Sequence, residues 1–133
     1  MLKQLADWWM KRKPATHLYT SGAAWLVALT KRISVYVCYM TKNPDEAALQ
    51  KRYCDTWVHL IEGELLVHTT AKLKAEVHYR YTDAELGDVT AYRLLPRQRV
   101  RVPTGERMMV EALAFPSTYI RLACRPQEVK DGE

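Results

Sequence analysis

Cysteine, glycine, phenylalanine and long apolar runs are all scarce in this chain, and each shortage removes a class of protein. The three cysteines, Cys38, Cys54 and Cys124, are odd in number and widely spaced. Without a CxxC pair they suggest neither a zinc ribbon nor a thioredoxin-like site, and they suit free, partly buried thiols in a reducing cytoplasm. Five glycines form no phosphate-cradling loop, and a single phenylalanine leaves no RNP-like aromatic pattern. The longest apolar run, Ala23 to Leu29, is far shorter than the roughly 20 residues of a membrane helix. The first ten residues carry Lys3 and Asp7 and no small-residue cleavage site, unlike a secretory signal.

What is present fits one compact domain. The chain has 133 residues, 48% of them hydrophobic, enough for one core and too few for a second domain. Its formal net charge of +5 favours acidic partners, whether phosphates, acidic proteins or anionic surfaces. Leu2, Leu5 and Trp9 recur at helical spacing, and Lys11, Arg12, Lys13 and Pro14 would close that helix. The expected organisation is an N-terminal amphipathic helix over 1–13, a β domain over 14–128 and a loose tail over 129–133.

From His17 onward, short runs rich in Val, Ile, Tyr and Thr alternate with turn signals, as in an all-β sandwich or barrel. Strands are expected near 17–20, 23–30, 33–40, 55–61, 64–70, 75–81, 89–95, 98–102, 107–113 and 118–124. One interruption, Asn43-Pro-Asp-Glu46, joins an N-cap residue to proline and two acids, and predicts one or two helical turns.

The segments TWVHLIEGELLV (56–67) and LLPRQRVRVPTGERMMVEAL (94–113) resemble the two signature hairpins of the cupin superfamily, small double-sheet jelly rolls. The resemblance covers about residues 55–124. It implies a cupin-like double-sheet jelly roll, or β-sandwich, with a short N-terminal helix. Cupins that hold metal use two histidines and a glutamate before the first turn glycine, and a third histidine after the Pro-x-Gly turn. Counting from Gly63 and Gly105, those positions fall at Leu49, Lys51, Thr56 and Met108, none a ligand of the usual kind. No metal or other cofactor is therefore expected.

Alternation along the strands gives direction. Thr56, Val58, Leu60, Leu65, Val67, Val100, Val102, Met108, Val110 and Ala112 should line an apolar, filled interior. Trp57, His59, Ile61, Leu66 and His68 should face the other way. His59 and His68 could meet across a hairpin, but the sequence shows no carboxylate partner for either.

These features favour a non-catalytic protein-binding or assembly module, an inhibitor, a scaffold or a particle component, possible as a homodimer formed through sheet packing. Its contact residues would be Trp8 and Trp9 on the helix and Arg97, Arg99 and Arg101 on one outer strand face. No catalytic residue is assigned. The alternative is a small-molecule enzyme or sensor resembling sugar-nucleotide isomerases or epimerases, with His78, Tyr92 or Tyr119 near the ligand and arginines on its phosphate. Nucleic-acid binding through the arginine strand is a further alternative, not favoured for want of a recognition helix or phosphate loop.

Overall fold

The computed structural model describes residues 1–125, so the expected tail over 129–133 lies outside the described residues. It comprises α1 (Leu2–Arg12) followed by β1 (His17–Tyr19), β2 (Gly22–Leu29), β3 (Ile33–Met40), β4 (Gln50–Lys51), β5 (Asp55–Glu62) and β6 (Leu65–Thr69). The remaining strands are β7 (Glu76–Asp83), β8 (Gly87–Leu94), β9 (Arg99–Val102), β10 (Arg107–Ala112) and β11 (Ser117–Cys124). Two antiparallel sheets result, one ordered β1-β2-β3-β11-β5-β9 and the other β4-β10-β6-β8-β7. This is the expected double-sheet sandwich.

The two supposed hairpins are corners. β5 pairs with β9 and β11 in the first sheet, whereas β6 pairs with β10 and β8 in the second. Both the Glu62-Gly63-Glu64 and the Pro103-Thr104-Gly105 connections therefore cross from one sheet to the other. A hairpin and a corner share the same alternation, because both place residues of like parity toward one core; the pattern could not separate them. Gly63 makes the first corner possible: its φ is +98°, and a Cβ there would collide with Ser117. The Ser117 hydroxyl instead accepts the Glu64 N–H at 3.2 Å.

The interior follows the alternation. Val58, Leu60, Leu65, Val67, Val100, Val102, Met108 and Ala112 form one buried cluster with Cys38, Met40 and Tyr119, and Val110 packs against it. Each fully buried Leu or Val contributes roughly 1.5–3 kcal/mol by leaving water.

The N-terminal helix lies beside the first sheet. Lys3 pairs with Glu62 of β5 at 3.3 Å, and the Trp25 indole of β2 donates to the Lys13 carbonyl at 2.8 Å. Trp25 sits opposite Val37 and so faces away from the core, which places the helix on the sheet's outer side rather than over the sandwich's open end. Only Ala6 of the helix is fully buried; Leu5 and Trp8 remain exposed.

The expected helical turns at residues 43–52 do not form. The Asn43 side chain is already engaged: its Nδ2 donates to the Ala112 carbonyl at 2.9 Å, and its Oδ1 accepts the Ala112 N–H at 2.7 Å. An amide so committed cannot cap a helix. The segment runs irregularly from β3 to β4, where Gln50 and Lys51 pair with Met108 and Arg107 of β10.

Candidate functional site

The sandwich is not filled at both ends. Where β2 and β3 face β4 and β10, the sheets part around a cavity of about 310 Å³, walled on one side by the irregular segment after Asn43. Its deeper lining includes Ala24, Cys38, Met40, Met108 and Tyr119, and Arg52 and Arg121 also border it. The expectation of a wholly apolar, filled interior is corrected here by the two arginines. Their side chains come from elements the cupin-like segments do not join: Arg121 from the middle of β11, Arg52 from the residue after β4.

Each guanidinium is held. Arg52 is fixed first through its backbone, whose N–H donates to the Glu106 carbonyl and whose carbonyl accepts the Gly105 N–H, both at 2.8 Å. Its Nε then donates to the Thr56 hydroxyl at 3.0 Å, and that hydroxyl donates to the Cys54 carbonyl at 3.0 Å. Arg121 lies opposite Val58 on one side and Tyr36 on the other, which turns it inward, and its guanidinium sits 5.0 Å from the Tyr36 ring centre. Parity identifies Arg121 once strand β11 is in register with β5; the sequence reading did not extend its alternation to that strand.

Burial dominates the electrostatics of the floor. It pushes the Tyr119 phenol well above its ordinary range, so the group stays neutral. It also raises the Cys38 thiol, against the opposing pull of the Arg121 charge and a hydrogen bond from Tyr119. Burial, followed by repulsion from Arg121, lowers the Arg52 pKa. A guanidinium nevertheless remains charged at any physiological pH.

The metal implied by the cupin resemblance does not fit these residues. Thr56 is wholly buried and its oxygen already accepts from a guanidinium; Met108 is a soft thioether; Leu49 and Lys51 offer nothing. A cation placed there would also meet the charges of Arg52 and Arg121. Among the described residues, no three His, Cys, Asp or Glu side chains converge as a metal group.

The other candidates are dispersed. Arg99 and Arg101 alternate with buried Val100 and Val102 and are exposed on β9; Arg97 lies before that strand, in a turn with φ 76°. Arg99 sits over the Trp57 ring and Arg101 pairs with Asp55 at 3.7 Å. Trp8 and Trp9 adjoin on α1, 6.2 Å between ring centres. Of His78, Tyr92 and Tyr119, only Tyr119 reaches the cavity. Tyr92 accepts the Leu73 N–H at 2.9 Å and donates to the Ala71 carbonyl at 3.4 Å, a structural role.

His59 and His68 belong to different sheets and do not meet. His59 stands opposite Arg99, and burial first, then that charge, lowers its pKa. His68 faces outward yet is only 3% exposed. Its ring lies between Glu111 Oε1, 3.3 Å from Nε2, and the Tyr81 hydroxyl, 3.0 Å from Nδ1, so the structure supplies a carboxylate partner that the sequence did not reveal. The three cysteines are unpaired, and no described helix is long and apolar enough to cross a membrane.

No protein-family model matches the sequence, and no curated protein matches it. Solved structures do match in shape. KdgF from Halomonas sp. superposes with a TM-score of 0.64 at 14% identity, over 89% of this chain and 93% of that one. An RmlC-like cupin from Shewanella frigidimarina gives a TM-score of 0.65 at 9% identity, over 90% and 89%. HEPD of Streptomyces albus, solved with its substrate 2-hydroxyethylphosphonate and Fe(II), gives 0.62 at 14%, over 85% of this chain but 23% of that one. At such identities the likeness concerns architecture alone, and with the two-sheet topology it establishes that this chain has the cupin jelly-roll fold.

Proposed function

We propose that the protein binds a small molecule in the cavity between β3 and β10. The observation that carries this reading is the cavity itself, about 310 Å³ in volume, with a buried apolar floor and a few converging polar groups, the usual character of a small-ligand site. Part of HEPD, a protein solved with a small substrate, has a similar fold over 23% of its chain, although its iron has no counterpart in the residues here. The reading takes up the small-molecule alternative without its isomerase chemistry, because no histidine lines the cavity to pair with Tyr119.

Ala47→Trp tests it, since Ala47 lines the cavity from an exposed position where an indole can block the opening without entering the core. Compounds found by NMR screening should bind the native chain and lose at least tenfold affinity in the variant, with the melting temperature unchanged. Equal binding by both would refute the cavity as the site.

A protein-binding or assembly role is the second reading. The exposed stripe of Met1, just before α1, with Leu5 and Trp8 on it favours it, with Trp57, Arg99 and Arg101 as a separate outer surface.

A further inference from the structure

We infer that the occupant of this cavity is an oxyanion, the carboxylate or phosphate group of a small molecule, gripped between the guanidinium groups of Arg52 and Arg121. The inference rests on the small-molecule reading and names the chemistry of the ligand.

Both side chains border one opening, and Arg121 reaches it from a sheet different from that of β4, which Arg52 directly follows. Among the described residues, neither has a carboxylate partner: the arginine ion pairs are Arg93 with Glu64 and Glu76, and Arg101 with Asp55. What the two do touch uses only part of each group. Arg52 commits Nε to Thr56 and keeps both terminal nitrogens. Arg121 commits a face to Tyr36 and keeps its in-plane N–H edge. Those are the donors with which a guanidinium binds a carboxylate or phosphate in bidentate fashion.

Among the described residues, nothing in the floor supplies a countercharge. The Tyr119 phenol and the Cys38 thiol are both held toward their neutral forms by burial, and Glu46, the acidic residue lining the cavity, is exposed. Two like charges bordering one partly dry space raise each other's energy, and neither can discharge itself by losing a proton. An anion between them removes that repulsion and gains hydrogen bonds from two preset forks. Water alone removes it less well, because both guanidinium groups are half-buried and each keeps only part of its hydration. Met40, Met108 and Ala24 would then receive a short carbon body, and the cavity volume holds it to the size of a small metabolite.

The test is calorimetric titration of the full chain with acetate, oxalate, inorganic phosphate and methylphosphonate at constant ionic strength, with glycerol and ribose as neutral comparators. Saturable binding of at least one oxyanion is expected, weakened tenfold or more by Arg52→Gln and by Arg121→Gln, and unchanged by the outer-face pair Arg99→Ala with Arg101→Ala. The carboxylate and phosphate arms tell which oxyanion is preferred, and either result supports the inference. Should Arg121→Gln fail to fold, Arg52→Gln decides. Oxyanion binding that survives Arg52→Gln but disappears with the outer-face pair overturns it. If a neutral comparator binds in the cavity and no oxyanion does, the inference fails while the small-molecule reading stands. If no compound binds at all, both fail.

Discussion

The first sheet carries arginines on both faces, and the two faces treat them differently. On the outside, Arg99 and Arg101 stand in water, one over the Trp57 indole and the other beside the Asp55 carboxylate. On the inside, Arg121 meets a tyrosine ring, and neighbouring Arg52 a threonine hydroxyl. The outer charges are balanced or hydrated, whereas the inner ones, among the described residues, have no carboxylate partner. Closeness in sequence made the outer group conspicuous, but convergence in space distinguishes the inner pair, drawn from positions nearly seventy residues apart.

The strongest way to break this contrast is to compare neighbours on β5. Leu60 is fully buried, and Leu60→Ala should cost about 2–5 kcal/mol in urea denaturation. Trp57→Ala, which removes a larger but 37% exposed side chain, should cost clearly less. Equal losses would mean that the two faces are not energetically distinct.

A smaller effect is expected from Thr56→Val, which keeps the shape and deletes the oxygen that Arg52 bonds. A hydrogen bond to a charged group is worth about 1.5–3 kcal/mol, so a loss at the lower end of that range is expected, with Thr56→Ser recovering most of it. Thermal unfolding of the three proteins would measure it. No loss would show that Arg52 is positioned by its backbone alone.

The smallest effect belongs to the outer face. Backbone and side-chain hydrogen bonds from Thr104, opposed by slight burial and aided by Arg101, lower the Asp55 pKa. Because the folded value lies below the unfolded one, the stabilisation is complete above the unfolded value of about 3.9 and fades as pH falls through the folded value. Solvent screening should hold it under about 1 kcal/mol. Asp55→Asn should therefore flatten the acid limb of a stability profile taken from about pH 6 down to about pH 2. An unaltered limb would remove Asp55 as its cause.

Most of the architecture was legible because burial imposes a period of two on a strand: Val58, Leu60, Val100 and Val102 had to share a face. Strand order was not, since alternation is blind to whether the chain turns back within a sheet or crosses to the other, as it does at Gly63. The segment after Asn43 misled for a different reason: a capping residue has local meaning only while its side chain is free, and Ala112, remote in sequence, claims it. Arg52 and Arg121 escaped notice because each is ordinary by itself. His68 was rightly placed outward, but its burial and its carboxylate partner depend on neighbouring strands.

The clamp between Asn43 and Ala112 has an architectural consequence. Residues 44–49 hang between that clamp and the β4 pairing with β10, like a panel fastened along two edges of a fixed frame. None of the six belongs to a strand, and residues 45–48 expose their side chains, so the strand registers do not depend on those four. Successive variants of this protein could thus change the calibre of the opening while inheriting the same sandwich unaltered.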